Sequence, residues 1–414
     1  MSPPNKFEID SRQSQRRNRW TLAGFAFSLL FTGSDQIQRC FGNGGVIFYC
    51  VLGSVILILI YKYAIPYFLI HVDEEQSLWL AVATFLGLFL IFFLVYPLAD
   101  SGIVGGGSDN DDLFNLTGRQ LLRGRYIYDY QTYLGNPPVS LHHLPGSIVL
   151  AVPFVLIGNA AYQNLFWLVV FYLTCQAALK DRRLSLLLLW IVFSLCPTVC
   201  QQFVTGSERF ASGIYVLSFL FFAMKSLGGK QKRWVRLVDF TLLGIGLSSR
   251  PNFLLFLPLL FASLGQTTGW KAAIQYTGLT CTSFLAITLP FLLHPKGIQI
   301  TLATLRNRDT MIGGIPQFPP QVYLSGLFLA VLLTLGLSLR RADREGIVFL
   351  QNCFMVQVFP VVYLVIFSYL NYRDLLWLPG YGSHFIFFAA LAAGKAFKGR
   401  TGASELCRRN FPLN

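Results

Sequence analysis

Thirteen apolar stretches follow one another along this chain, separated by polar connections of different lengths. A perpendicular crossing of a bilayer takes about 20 predominantly apolar residues, and several of these stretches approach that length. Only 13% of the 414 residues are charged, whereas a soluble domain carries about a quarter. The sequence therefore predicts an all-α polytopic membrane protein, with residues 1–414 forming a single transmembrane domain. The stretches lie at 20–33, 44–60, 77–98, 146–157, 160–179, 184–203, 210–224, 237–249, 252–265, 272–293, 322–339, 347–369 and 380–397.

The basic residues predict how the chain is oriented, because connections on the cytoplasmic side carry an excess of Lys and Arg. With a cytoplasmic amino terminus, and with 146–157 only half inserted from the outer side, 23 of the 33 basic residues lie on the cytoplasmic side. A full crossing by 146–157 would move the basic runs 180–183 and 225–236 outward, against this bias. We therefore expect about 12 transmembrane helices, both termini cytoplasmic, and a multi-pass location in the plasma (inner) membrane.

The net charge of +14 does not indicate a nucleic-acid partner, because the basic residues are spread over the connections between apolar stretches. Most of the eight cysteines lie inside apolar stretches, where thiols behave as small hydrophobic groups. The sequence predicts neither a disulfide framework nor a metal site, and no cofactor; a divalent metal is an optional addition. Partners are expected among membrane lipids instead.

The longest outer connection, residues 99–159, holds three acids between a glycine-rich run and an amphipathic helix predicted at 112–123. Leu113, Leu116, Leu121 and Leu122 form the predicted apolar side of that helix, with Arg119, Arg123 and Arg125 on its polar side. An acid at a helix start is a capping residue, but three acids in four residues exceed what a cap needs. Such a cluster beside a membrane cavity is also a candidate general base. The acids are Asp109, Asp111 and Asp112.

A second polar position interrupts the apolar pair 237–249 and 252–265, whose flanking connections are cytoplasmic. The tip of this hairpin carries Arg250 and Asn252 and is expected to reach the outer half of the membrane. An arginine at membrane depth indicates a functional site, and a guanidinium suits a phosphate group. The alternative is an arginine that extends its charge to the interface.

Residues 109–158 and 244–262 resemble the GT-C superfamily of integral-membrane glycosyltransferases, closest to the bacterial polyprenyl-phosphate-mannose-dependent mannosyltransferases. The resemblance rests on Asp112-Leu113 followed by Leu121-Leu122, Gly124 and Tyr128-Asp129, on the run 133–138, on 144–146, and on Ser249-Arg250-Pro251-Asn252. It implies a GT-C-like fold in which 99–159 is an outer catalytic loop containing amphipathic helices and the half-inserted segment 146–157.

The resemblance implies transfer of a sugar, hexosyl or pentosyl, from a polyprenyl-phosphate donor to an acceptor hydroxyl on a lipid or glycan at the periplasmic or extracellular face. In such enzymes an acid of the first outer loop is the base, which designates Asp112 first, Asp111 second and Asp109 third. One carboxylate acting as base, with no carboxylate nucleophile, predicts inversion at the anomeric carbon. Candidates for the donor phosphate are Arg250, Arg306, Arg308 and Arg373; candidates for substrate contacts are His142, His143, Tyr128, Asn136 and Asn252.

Three further residues, Trp377, Tyr381 and His384, either line a sugar subsite or form an interfacial aromatic belt. A multi-spanning lipid or sugar transporter or flippase is the main alternative function, although the chain shows no internal repeat. A polysaccharide polymerase or ligase is the other. The sequence contains no Gly-x-x-x-x-Gly-Lys-Ser/Thr motif, which argues against ATP-driven transport.

Overall fold

The computed structural model describes residues 6–101, 109–127, 143–228, 231–295, 319–341, 343, 346–372, 375 and 378–410. Over these residues the chain forms α-helices and short helical turns, and it contains no strand. The first five helices are α1 (Lys6–Leu59), α2 (Ile65–His71), α3 (Glu74–Asp100), α4 (Asp109–Leu122) and α5 (Pro145–Leu156). The next five are α6 (Gln163–Leu179), α7 (Arg182–Leu195), α8 (Pro197–Val204), α9 (Glu208–Leu227) and α10 (Arg233–Leu247). The last five are α11 (Phe256–Thr268), α12 (Trp270–Leu292), α13 (Pro320–Ser338), α14 (Ile347–Tyr372) and α15 (Ser383–Asn410).

The protein is a helical membrane protein. Six helical segments in the described residues are long and apolar enough to cross a bilayer, or up to eight if each of two bent helix pairs counts as one crossing. Their outward faces are apolar: in α3, Phe93 is 54% exposed and Leu94 is 63% exposed. Exposed side chains of this kind are stable where the surrounding solvent is lipid.

Helix α1 doubles back on itself at Gly42, whose φ of 65° and ψ of −167° leave the helical region. The two arms then pack side by side, since Tyr49 Oη donates to the Leu29 carbonyl at 3.3 Å. A Cβ on Gly53 would lie 2.4 Å from Leu30 Cδ2, so the arms also touch further along. The apolar stretches 20–33 and 44–60 therefore form the two antiparallel arms of one helical hairpin.

Two helix pairs bend sharply at short breaks. Helix α5 is bent by 103° relative to the segment Ala160–Leu179, and α7 is bent by 93° relative to α8. Pro153 lies inside α5 and Pro197 begins α8. A helix that enters a bilayer partway and turns back needs a bend of this size, whereas a straight span does not. The depth of 146–157 in a membrane stays a prediction.

Helix α9 lies at the centre of the bundle, against α6, α10 and α15. Its aromatic and aliphatic side chains are almost all buried, including Phe210 and Tyr215, and Phe387 of α15 packs edge-on against Phe210 with ring centroids 5.6 Å apart. A central helix that is apolar all round is the arrangement expected of a helix surrounded by other helices. The start of α9 is thereby placed inside the protein.

Helix α4 begins at Asp109, three residues before the start predicted from the sequence, and its buried face agrees with the predicted apolar side only in part. Phe114 and Thr117 are fully buried, whereas Leu116 and Leu122 are 37% and 48% exposed. The inner face follows the spacing of Asp111, Phe114 and Gly118, where Gly118 lets Val155 of α5 approach closely. Of the four leucines predicted to form the apolar side, Leu113 and Leu121 pack in the apolar cluster around Phe114, and Leu116 and Leu122 do not.

The predicted orientation can be tested with one native and one introduced thiol. Cys40 lies next to the bend of α1 and is exposed, and Lys180 ends α6 in an exposed left-handed position. We expect a membrane-impermeant maleimide to label Cys40 on intact cells. We expect Lys180→Cys, in a Cys40→Ser background, to be labelled only after permeabilisation. Peptide mass spectrometry identifies the labelled site, and labelling of position 180 on intact cells would overturn the topology.

Candidate functional site

The turn between α10 and α11 carries Arg250. Pro251 follows it, and a residue that precedes proline is held extended; Arg250 accordingly has φ −147° and ψ 140°. The chain then continues as a helical turn, Pro251–Leu255, before α11 begins. This geometry directs the guanidinium back into the bundle, where only 14% of the side chain is exposed.

The partner of Arg250 is Glu208, the first residue of α9, whose side chain is fully buried. Arg250 Nη2 donates to one carboxylate oxygen of Glu208, Oε2. The other oxygen, Oε1, accepts from the hydroxyl of Tyr215 at 3.0 Å. Two buried opposite charges stabilise one another only when the geometry is good and their remaining hydrogen-bonding positions are satisfied. Glu208 meets both conditions.

His143 joins the ion pair at the start of α5. Its Nε2 lies 3.0 Å from Arg250 Nη2 and 3.4 Å from Glu208 Oε2. Burial, and next the positive charge of Arg250, lower the pKa of His143 below its ordinary value of 6.5. The imidazole is therefore neutral at pH 7, and its Nε2 accepts a hydrogen bond from the guanidinium.

Backbone contacts hold His143 in place against the Arg250 turn. Leu144 N donates to the Ser249 carbonyl at 3.2 Å, and Gly146 N donates to the Ser248 carbonyl at 2.8 Å. Gly146 has to be glycine for this approach, because a Cβ there would lie 2.2 Å from the Ile245 carbonyl oxygen. The start of α5 and the end of α10 thus behave as one unit.

The outer-loop helix α4 brings the acid cluster to this unit. Phe114 packs edge-on against the His143 ring, with centroids 5.1 Å apart. Asp111 lies one turn before Phe114 and is fully buried. A Cβ on Gly206, two residues before Glu208, would lie 3.3 Å from Asp111 Cβ, which places α4 beside the start of α9. Gly206 has φ +67°, a conformation that favours glycine.

Asp111 takes part in a polar network that links α3, α4 and the break after α5. Tyr96 Oη donates to Asp111 Oδ2 at 2.5 Å and accepts from Asn159 Nδ2 at 2.6 Å. Asn159 Oδ1 in turn accepts from Asn115 Nδ2 and from Ala161 N, both at 2.9 Å. Such a network fixes the orientation of the carboxylate.

The other predicted site residues are placed less centrally or lie beyond the described part of the chain. Asp112 is exposed. The backbone of Asp109 begins α4, and its side chain is outside the described part. Asn252 Nδ2 donates to Gln357 Oε1, and Gln357 Nε2 donates to the Asn252 carbonyl at 3.0 Å, so this amide ties the turn to α14. Outside the described residues lie seven further predicted residues: Tyr128, Asn136, His142, Arg306, Arg308, Arg373 and Trp377.

Sequence reasoning missed Glu208, the acid on which the cluster is built. The signal was present: Glu208 lies between the apolar stretches 184–203 and 210–224, and an acid at membrane depth indicates function. Its pairing with Arg250 joins residues 42 positions apart, which spacing alone does not predict. Among the described residues no group of three His, Cys, Asp or Glu side chains is arranged to hold a metal ion.

Comparisons of this chain with protein-family models, with curated proteins and with solved structures found no match.

Glu208→Gln should destabilise the protein by about 3–5 kcal/mol, because it leaves the Arg250 charge buried without a counter-charge. The double variant Glu208→Gln/Arg250→Gln should recover much of this loss, since two amides can hydrogen-bond to one another. Thermal unfolding of the purified protein in detergent measures both. A single variant as stable as the wild type would contradict the ion pair.

The pKa of His143 predicts a pH dependence of the same unfolding. Because its folded pKa is lowered, the unfolded chain binds a proton at higher pH than the folded chain does. The contribution of neutral His143 to the free energy of unfolding is therefore complete above pH 6.5. It is lost as the pH falls from 6.5 toward the lowered pKa of the folded state. The groups facing it are Arg250, Glu208 and Arg209. His143→Gln should flatten the decline between pH 7 and 5; an unchanged decline would refute the assignment.

Proposed function

We propose that the chain is a membrane glycosyltransferase that moves a sugar from a polyprenyl-phosphate donor to an acceptor hydroxyl on the periplasmic or extracellular face. The observation that carries the proposal is the convergence of Asp111, His143, Glu208 and Arg250 at one end of an apolar helical bundle. Buried ionisable groups in a membrane protein are costly and accompany function. The resemblance of 109–158 and 244–262 to GT-C glycosyltransferases gives these groups their chemistry.

Within this proposal Asp111 is the strongest candidate for the general base. The reaction needs one carboxylate that accepts the proton of the acceptor hydroxyl as that oxygen attacks the anomeric carbon. Glu208 is less suited, because a carboxylate held by a guanidinium is a poor proton acceptor. Asp111 is buried on the face of α4 that meets His143, whereas Asp112 is exposed. Asp112 and Asp109 stay as alternatives to it.

Arg250 is the proposed contact for the donor phosphate. The bond that breaks joins the anomeric carbon to a phosphate oxygen, and the leaving polyprenyl phosphate gains negative charge that a guanidinium stabilises. Glu208 and His143 hold the guanidinium in one orientation before substrate arrives, which lowers the cost of binding. Arg306, Arg308 and Arg373 remain further candidates for the same phosphate.

The topology proposed with this function has 12 transmembrane helices, a GT-C-like arrangement, both termini cytoplasmic and the polar cluster near the outer surface. Support comes from the hairpin of α1, which supplies two antiparallel apolar arms, and from the distribution of basic residues. The connection 204–209 and the turn at Arg250 fall on the same side in that topology. Glu208, in that connection, and Arg250 form an ion pair in the structure. This pairing is compatible with a topology that places both residues on one side of the membrane.

A transporter is the second candidate, favoured by one observation. Helices broken near polar groups are typical of transporters, and the breaks at 157–159 and Cys196 produce bends of 103° and 93°. Reconstituted vesicles distinguish the two readings. A transporter moves labelled polyprenyl-phosphate mannose across the bilayer without cleaving it, whereas a transferase releases polyprenyl phosphate.

Asp111→Asn tests the proposed reaction. The amide keeps the size of the side chain and can accept from Tyr96, but it cannot take a proton, so transfer should fall about 10²–10⁴-fold. Transfer is measured as mannose label moved from farnesyl-phosphate mannose into the lipids and glycans of membranes containing the protein.

The matched controls are Asp112→Asn and Tyr96→Phe. Asp112→Asn should stay within a few-fold of wild type, and Tyr96→Phe should reduce transfer much less than Asp111→Asn while leaving folding intact. Full activity of Asp111→Asn with an inactive Asp112→Asn would move the base to Asp112. Full activity of both would refute a base at either position.

A further inference from the structure

A shallow groove, open to the outside, lies between α11, the end of α13 and the first turns of α14. Its lining includes Leu259 and Ser263 of α11, Leu337 and Arg340 at the end of α13, and Phe349 and Asn352 of α14. The polar cluster at Arg250 precedes the start of α11, whereas the groove lies toward the other end of that helix. The groove is therefore separate from the polar cluster described above.

Arg340 is held at the mouth of this groove by contacts to two helices. Its guanidinium reaches across to α14, where Nη1 donates to Asn352 Oδ1 at 3.5 Å. Asn352 is 5% exposed, and its Nδ2 donates to the Leu337 carbonyl at 3.1 Å. From α11, Gln266 Nε2 donates to the Arg340 carbonyl at 3.3 Å. Arg340 itself is exposed, so its guanidinium keeps N–H donors for a ligand at the mouth.

The charge at the mouth of the groove is positive. Asp343, three residues after Arg340, is paired with Arg17 at 3.4 Å and accepts from the backbone N–H groups at the start of α14. Within the described part of the chain Arg340 forms no ion pair. Arg341 beside it is exposed. Three arginines thus accompany one carboxylate here, which favours a ligand with a net negative charge.

Trp270, the first residue of α12, indicates the level of the mouth in a membrane. It is 58% exposed, and its ring lies 5.5 Å from that of Phe261 and against Gly265, where a Cβ would be 2.4 Å from Cζ3 of the indole. Exposed tryptophans concentrate at the level of the lipid headgroups. Gln266, which follows Gly265, contacts the Arg340 carbonyl. The arginine therefore lies at headgroup level.

Toward the centre of the membrane the groove becomes apolar. Leu259 lies seven helical residues before Gln266, which corresponds to about 10 Å along α11. Beside the groove, α13 exposes Leu332 and Leu335, each by 49%. Apolar side chains below a cationic mouth match the two parts of a phospholipid, because its phosphate stays at headgroup level while its acyl chains extend into the hydrocarbon.

We propose that this groove binds one anionic membrane phospholipid. Arg340 donates N–H groups to the phosphate oxygens of the lipid, and an acyl chain lies along Leu259 and the exposed leucines of α13. The positive charge at the mouth selects a lipid with a net negative charge over a zwitterionic one. The site is independent of the sugar transfer proposed above and lies on the side that the basic residues predict to be cytoplasmic.

The test is native mass spectrometry of the full-length protein in detergent, with dioleoylphosphatidylglycerol or dioleoylphosphatidylcholine added. The wild type should bind phosphatidylglycerol about fivefold more tightly than phosphatidylcholine, as expected for one arginine acting on an anionic lipid. Arg340→Gln should lose most of this difference. Arg340→Lys should fall between, since it keeps the charge but loses the planar fork. Glycerol 3-phosphate, which has the phosphate but no acyl chains, should not displace the lipid.

The matched control is Arg341→Gln, which removes the same charge one residue along the chain, where the side chain does not line the groove. It should bind phosphatidylglycerol as the wild type does. Equal losses in Arg340→Gln and Arg341→Gln would reduce the effect to general surface attraction and overturn the site. Equal binding of the two lipids by the wild type would overturn it too, and displacement by glycerol 3-phosphate would show a site for free phosphate instead.

Discussion

The ion pair between Glu208 and Arg250 is the interaction on which the polar end of this bundle depends. Both charges are removed from water, and the low dielectric that strengthens their attraction also makes either charge costly alone. Tyr215 and His143 satisfy further hydrogen-bonding positions of the pair. The start of α9, the turn after α10 and the start of α5 are therefore held together by electrostatics, in a molecule whose other contacts are mostly apolar.

The position of this cluster follows from what a membrane allows. Backbone groups left open in hydrocarbon cost several kcal/mol, so a turn inside the bundle must find partners for them. The turn at Arg250 does so through Ser248 and Ser249, whose carbonyls accept from Gly146 N and Leu144 N. The same contacts bring His143 to the ion pair and Phe114 to His143. Satisfying the backbone of one turn thus brings together side chains from α4, from the start of α9 and from the segments that precede α5 and α11.

How much of this arrangement is predictable from the sequence depends on how far apart in the sequence the interacting residues lie. Helical membrane character follows from composition, and the arms of α1 follow from the stretches 20–33 and 44–60. The helix of the outer loop was predicted with an error of three residues at its start, because Asp109 and Asp111 looked like flanking acids. Of its predicted apolar side, Leu113 and Leu121 pack in the protein, whereas Leu116 and Leu122 are exposed, because leucine spacing does not distinguish a face toward protein from a face toward lipid.

Candidate residues were predictable where a single residue carries the signal, as with Arg250 in an apolar hairpin. Candidate residues were not predictable where their role depends on an interaction with a residue distant in the sequence. Glu208 looks like an ordinary acid in a short connection, and Arg209 beside it looks like its neutralising neighbour. In the structure the two point to different partners, Arg250 and Tyr381, which no local pattern reveals. The number of crossings, by contrast, still rests on the charge distribution, since six to eight segments of the described residues meet the length and hydropathy expected of a span.

The energetics of the cluster argue for a role in binding or chemistry rather than in stability. Replacing a buried ion pair by apolar side chains of similar volume is often neutral or stabilising by about 1–4 kcal/mol. Charged residues make up only 13% of the chain, yet Glu208, Arg250 and His143 are buried together. Their burial contributes little to the free energy of folding, because the cost of removing charges from water offsets their attraction. Arg209 adds a further positive charge beside them; its guanidinium stacks on Tyr381 and acts electrostatically on the buried carboxylate of Asp35. Ionisable side chains gathered inside an apolar bundle at this cost are better explained by binding or chemistry than by stability.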